Sequence, residues 1–366
     1  MSIDGSIDGS IDGQAALELL RIKRQGLRVA LAVTVGLCTG LVRGDILPFL
    51  APLFAIQFLL ASRRAPTLSQ GLITLLVSLL TGALLVVMTG MFGERPWVLL
   101  PLLWLFYFAC FTAQGRQLGG AGPALMLVIA IVVPMLDIVQ RDLGESIVLI
   151  LVKAVSLGLL LTWGAHALLP DPASEQADPQ RAPPRELTLV IRQAMASAAI
   201  LLAMIALCLS DPRLATAMVV PITVASLLSQ FSLGMSSRSA VGLVLVNLLG
   251  GVVASLAFTL FELRPTLWLV ALILLLVSLL FAGKAAMDNT AGKVFGGGLM
   301  TFLILFGLGV SPLPTETPQL FSTRIAYVLL AVVYAIGLAA LLWPSAREQQ
   351  PIATTRSSRS NRSVKR

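Results

Sequence analysis

The chain has 366 residues, of which 57% are hydrophobic and only 12% charged. A soluble domain carries about 25% charged residues, so an ordinary water-soluble enzyme is excluded. The formal net charge of +8 calls for no nucleic-acid partner, because the basic residues are scattered over short loops and the tail 345–366.

Residues 2–13 read Ser-Ile-Asp-Gly three times. This low-complexity stretch lacks the closing glutamate of a cation-binding loop, and residues 1–23 are expected to be a disordered cytoplasmic lead. Beyond it, apolar runs of 16–24 residues recur. A helix needs about 20 residues to cross a bilayer, and a span in lipid must satisfy its own backbone. The expected fold is therefore an all-α polytopic membrane protein.

We count twelve spans. The first repeat, 24–169, holds six, at 27–42, 46–61, 71–91, 97–113, 122–138 and 146–169. A linker at 170–186, with five prolines, reads as a cytoplasmic tether. The second repeat, 187–343, holds the other six, at 187–209, 214–230, 238–261, 266–282, 293–310 and 321–343. Residues 344–366 form a basic tail expected to be disordered.

The two halves repeat one layout. Arg24-Gln25 matches Arg192-Gln193, Pro52 matches Pro221, Arg95-Pro96 matches Arg264-Pro265, and Phe111 matches Phe281. The offset stays near 169 positions. Of 26 Lys and Arg, nineteen fall on one set of loops and tails and six on the other, with Lys153 inside a span. The positive-inside rule then places both termini in the cytoplasm. Six spans per half make the halves parallel repeats.

Catalytic and metal chemistry find no footing in the sequence. A nucleotide-binding Gly-Lys-Ser/Thr loop is missing, and His166 is the sole histidine. Cys38, Cys110 and Cys208 all lie in spans and suggest neither a disulfide nor a metal framework. The expectation is no enzyme, no cofactor and no metal. Gly296-Gly297-Gly298 opens the eleventh span, where glycines serve helix packing.

The candidate site residues are the polar ones at membrane depth. Pro52 and Pro221 interrupt the second span of each half, and Gln57 and Ser226 follow them at matching positions. Interrupted helices in equivalent places point to a substrate pathway. Lys153, inside the sixth span, is a further pathway candidate. Asp137, His166 and Asp288 are candidates for proton coupling. Arg116, Lys284 and Lys293 would attract anions to the cytoplasmic mouth.

Two six-span halves, each opening on a basic helix start, Arg24-Gln25-Gly26-Leu27-Arg28 or Arg192-Gln193-Ala194, and each with a proline in its second span, resemble the fusaric acid resistance and aromatic acid exporter superfamily. The resemblance covers about residues 18–343. It implies a bacterial inner-membrane exporter of aromatic carboxylic acids and related toxic compounds. It also implies use of the proton gradient and a periplasmic adaptor of the membrane-fusion type. Larger members carry a cytoplasmic domain after each half, whereas here residues 170–186 and a short tail stand in those places. The expected partners are membrane lipid, such an adaptor, a small organic anion and a second copy of the chain. Two other readings compete: a facilitator-type transporter, whose loop motif after the second span is replaced by Arg63-Arg64, and a non-transporting scaffold.

Overall fold

A computed structural model describes residues 4–62, 64–139, 144–170, 186–210, 219–230, 237–287, 289–311 and, within 330–338, all but 332 and 336. Helices and short turns account for these residues, with no strand among them. Eleven helices have described bounds. They are α1 (Asp4–Arg43), α2 (Leu50–Ala61), α3 (Leu68–Phe92), α4 (Pro96–Gly115), α5 (Gly122–Val139), α6 (Gly144–Leu168), α7 (Leu187–Ser210), α8 (Val219–Gln230), α9 (Ser237–Leu263), α10 (Leu267–Ala285) and α11 (Thr290–Gly309). The described residues of 330–338 are also helical.

Eight helices are long and apolar enough to cross a membrane: α1 from Ala16 onward, α3, α4, α6, α7, α9, α10 and α11. This is what a multi-pass membrane protein requires. The surface pattern agrees. Helix α3 buries Gly71, Ser78, Thr81, Gly82, Leu85 and Thr89, while Leu72, Leu76, Leu80, Leu84, Val87 and Met91 face outward. Small and hydroxylated residues inside with large apolar residues outside is the pattern of a helix packed in lipid.

Two expectations are corrected. The run at 46–61 does not cross as a helix. Helix α2 has 12 residues, about 18 Å at 1.5 Å per residue, against a hydrocarbon core of about 30 Å. Of the run at 214–230, only Val219–Gln230 lies among the described residues. The lead is not irregular either, because α1 starts at Asp4 and runs unbroken through the tetrapeptide repeats to Arg43. A helix already nucleated in the membrane extends at one new bond per residue, and Ala15 to Arg21 are mostly strong helix formers. The linker beyond Pro170, up to residue 185, and the tail 344–366 lie outside the described residues.

Local chemistry sets the helix ends. Gly44, at φ +68°, closes α1. The Gly44 and Asp45 amides bond back to the Leu41 and Gly40 carbonyls, the left-handed stop that glycine allows. Thr67 and Gln70 form a capping box at the start of α3. Trp97 and Trp268 sit at equivalent starts of α4 and α10 and are 89% and 83% exposed, as interfacial aromatic anchors are. We call their end of the bundle the outer end, following the charge-based orientation.

The packing is reciprocal. Helix α1 packs on α10 and α4 packs on α7. The pairs α1–α2, α3–α5 and α4–α5 find counterparts in α7–α8, α9–α11 and α10–α11. At the centre, α2 and α8 are each held between α5 and α11. These four helices close a ring, and the residues of α2 from Leu50 to Leu59 are all buried.

Candidate functional site

Two ring helices carry the paired prolines. Leu50 opens α2, with Pro52 as its third residue, and Pro221, 169 positions on, lies in α8, whose described residues run from Val219 to Gln230. A proline in a first turn removes an N–H that would have no intrahelical partner. Pro52 therefore starts α2 rather than freeing a carbonyl in mid-span, which corrects the sequence expectation for that residue; the residues before Val219 lie outside the described ones. The interruption lies just before α2, where Asp45–Phe49 is non-helical although Leu47 and Phe49 are buried.

Helical spacing places the polar side chains. On α8, Thr223, Ser226 and Gln230 recur at i, i+3 and i+7, one stripe down a single face. Gln230 Nε2 donates to Ser226 Oγ at 2.9 Å. The same Gln230 side chain lies against α11, so close that a Cβ at Gly297 would sit 1.9 Å from its Oε1. On α2, Pro52 faces α1, Ala51 and Phe54 face α6, and Leu60 meets Gly296 of α11. Gln57 is buried and, by helical spacing, lies between the face that meets α11 and the face that meets α6.

Three polar atoms on these two helices are buried without a hydrogen-bond partner among the described residues: Gln57 Oε1, Thr223 Oγ1 and Gln230 Oε1. Thr223 is fully buried. The other three such atoms are Thr112 Oγ1 and Gln114 Nε2 of α4 and Ser278 Oγ of α10. An unpaired buried polar group costs about 1–3 kcal/mol.

The glycine triplet serves packing, with each member meeting a different neighbour. Gly296 receives Leu60 of α2, Gly297 receives Gln230 of α8, and Gly298 lies against Gly250 and Val246 of α9. Above this contact, Thr301 Oγ1 donates to Asn247 Oδ1 at 2.7 Å, and Asn247 Nδ2 donates to the Leu243 carbonyl at 2.8 Å. Both residues are fully buried, so the α9–α11 seam has a satisfied polar pair that sequence reading did not single out.

Lys153 is exposed. It lies on the exposed face of α6 with Leu149 and Leu160, away from the ring, and its long stem suits reaching an interface. The buried cation is instead Arg28, 1% exposed. Its Nε donates to the Leu169 carbonyl at 2.9 Å and its Nη1 to Gln25 Oε1 at 3.0 Å. Gln25 Nε2 donates to the Leu59 carbonyl at 2.5 Å, and Arg24 Nη1 to the Pro170 carbonyl at 2.8 Å. This cluster ties the inner ends of α1, α2 and α6 together, with cations set against the negative end of α6. The equivalent of Arg28 in the second half is Ala196, so the lock belongs to one half.

Among the proton-coupling candidates, Asp137 is near the outer end of ring helix α5. Thr89 Oγ1 of α3 donates to Asp137 Oδ2 at 2.5 Å and also lies 2.9 Å from the Leu85 carbonyl. His166 is half-buried in the last turn of α6, with Nδ1 2.9 Å from the Thr162 carbonyl. Asp288 lies outside the described residues. The three inner cations are all exposed. Arg116 caps the end of α4, Lys284 Nζ sits 4.7 Å over the Phe295 ring, and Lys293 is in the first turn of α11. They border the bundle and do not enter the ring.

No family model, curated protein or solved structure matches this chain.

Proposed function

We propose that this chain is a proton-driven efflux transporter of the bacterial inner membrane, made of two parallel six-helix halves. It moves small organic compounds outward and works with a periplasmic adaptor. The observation that carries the reading is the matched pair α2 and α8, which hold Pro52 and Pro221, 169 positions apart, at the centre of the bundle. Each carries buried polar atoms without partners among the described residues. Short interrupted helices at equivalent positions are where secondary transporters bind substrate. The reciprocal packing of α1 on α10 and α4 on α7 supports the duplication. The outward aromatic anchors at both Trp97 and Trp268 support a common orientation of the halves.

Asp137 is the residue we assign to the proton. It lies on a ring helix, and its partner Thr89 has a carbonyl acceptor of its own within reach. With Asp137 ionised, Thr89 donates to it. With Asp137 protonated, the acid donates to Thr89 Oγ1, and the Thr89 proton turns to Leu85. Both states are hydrogen-bonded. The family resemblance adds the adaptor and puts aromatic carboxylic acids on the panel of aromatic solutes to try.

Reconstitution tests this reading. Purified protein in vesicles with an imposed pH gradient is expected to concentrate at least one of a panel of radiolabelled aromatic acids, amides and phenols. A protonophore should collapse the accumulation. Movement of every solute at the rate of protein-free vesicles would defeat the proposal. Recovery of a single-span periplasmic protein in mild-detergent purification is the expected sign of the adaptor.

A further inference from the structure

We infer that Gln57, Thr223, Ser226 and Gln230 form a binding layer for an uncharged, hydrogen-bonding aromatic solute, such as an amide or a phenol, and that the layer rejects a carboxylate. This rests on the reading of the chain as a transporter and names the substrate class of its central site.

The first argument is hydrogen-bond accounting. Thr223 Oγ1, Gln57 Oε1 and Gln230 Oε1 are buried without partners among the described residues, on the two equivalent helices of the ring. Buried polar groups are nearly always paired, and each exception calls for an explanation. Three further unpaired atoms lie on α4 and α10, while other difficult buried groups, Asn247, Thr301 and Arg28, all have partners. Two of the unpaired atoms on α2 and α8 are amide oxygens, which accept, and the third is a hydroxyl, which donates or accepts. A solute that arrives when the halves part would supply the missing bonds.

The second argument is charge. Helices α2 and α8 carry no ionisable side chain. On the described helices packed against them, the charged groups nearest the ring are directed elsewhere or exposed. Asp137 of α5 is bound to Thr89 of α3. Arg28 and Arg24 of α1 serve the Leu169 and Pro170 carbonyls. His166 of α6 lies at the Thr162 carbonyl. Lys153 of α6, Arg192 of α7 and Lys293 of α11 are exposed. A carboxylate or an ammonium in the ring would lose its water and meet no counter-charge, which is prohibitive in an apolar interior. An uncharged solute loses only hydrogen bonds that the layer replaces.

The third argument is the setting. Leu53 of α2 and Ile304 of α11 are buried, and Met300 follows Gly296 by four residues on the same face of α11. Apolar walls with a few convergent polar groups suit a small amphipathic ring compound.

The test is equilibrium binding of tritiated benzamide to the purified full-length protein in detergent at neutral pH. Phenol, benzoate and benzylamine serve as competitors. Benzamide is expected to bind and phenol to displace it. Benzoate and benzylamine should compete at least about tenfold less well, as an uncompensated buried charge requires. Thr223→Val keeps the shape and removes an unpaired hydroxyl, so it should leave the thermal midpoint unchanged or raised while weakening benzamide binding about tenfold. Gln57→Leu should behave alike. If benzoate competes as well as phenol, the charge argument fails. If benzamide does not bind, or binds with wild-type affinity to both variants, the layer is not the site. Accumulation of a solute in the vesicle experiment would survive any of these failures, so the two proposals fall separately.

Discussion

Tyr107 donates its phenolic hydroxyl to the Ala130 carbonyl at 3.0 Å. That carbonyl is the one left over because Pro134, four residues on in α5, has no N–H to give it. Tyr107 is fully buried in α4, so the bond closes an accounting gap that a proline within a ring helix would otherwise leave. Tyr107→Phe removes the donor and keeps the ring. We expect a loss of about 1–2 kcal/mol, the cost of one stranded buried acceptor. It should appear as a lower thermal midpoint in detergent. Pro134→Ala in the same background restores the helical N–H and should return most of the loss. An unchanged midpoint in Tyr107→Phe would show that the bond contributes nothing.

The contact of Gly250 with Gly298 gives a second expectation. A Cβ on Gly250 would lie 2.4 Å from the Gly298 carbonyl oxygen, which is backbone and cannot turn aside. Gly250→Ala should cost about 1–3 kcal/mol, the range for overpacking, and lower membrane abundance. A methyl group added at Gly90 in α3 would have nothing within 4 Å, so Gly90→Ala should be neutral or mildly favourable through helix propensity. Equal effects of the two substitutions would mean that the α9–α11 seam is not close-packed.

Arg28 holds the inner end of the first half. Arg28→Ala would strand the Leu169 carbonyl and the Gln25 amide. Hydrogen bonds to charged groups are worth about 1.5–3 kcal/mol each, so a loss of about 3 kcal/mol is expected in thermal or denaturant unfolding. Arg28→Lys keeps the charge but cannot reproduce the fork, and it should recover less than half of that loss. Ala196→Arg at the equivalent place in the second half should bring no matching gain. Full stability of Arg28→Ala would remove the lock from the architecture.

The helix pattern is legible in the sequence because long apolar runs in lipid have one solution, a helix. The pairing of Pro52 with Pro221 is legible because the offset repeats. Their role is not. A proline in the middle of an apolar run looks like a kink until the start of the helix is known, and Pro48 within Ile46–Phe49, a break signal, is masked by the apolar residues around it. Thr223, Ser226 and Gln230 carry an i, i+3, i+7 signal that composition hides, since hydroxyl and amide residues recur along many spans. Arg28 reads as one more inner-side cation, because burial of an arginine depends on carbonyls 141 residues away at Leu169. Lys153 misleads for the converse reason: depth along a helix is readable from the sequence, but the facing of a single residue depends on neighbours that are apolar on all sides.

The outward position of Lys153 has a direct consequence. Lys153→Leu should leave transport and solute binding unchanged and should not lower membrane abundance, since the residue shares its exposed face with Leu149 and Leu160. Insertion of a charge at depth costs about 2.5–3.5 kcal/mol, so the substitution should, if anything, raise the yield of inserted protein. Loss of transport in an abundant, folded Lys153→Leu protein would restore the residue to the mechanism.

Asp137 separates coupling from binding. Asp137→Asn keeps the size and still accepts from Thr89, but it cannot gain or lose a proton. Gradient-driven accumulation in vesicles should therefore fall at least about tenfold, the scale of losing one proton-transfer group, while benzamide binding in detergent stays at the wild-type level. Thr89→Val tests the partner. It removes the hydroxyl that serves Asp137 in both protonation states, so transport should persist with an altered pH dependence rather than disappear. If the profiles of wild type and Thr89→Val coincide, or if Asp137→Asn still concentrates solute against the gradient, the proton travels by another residue.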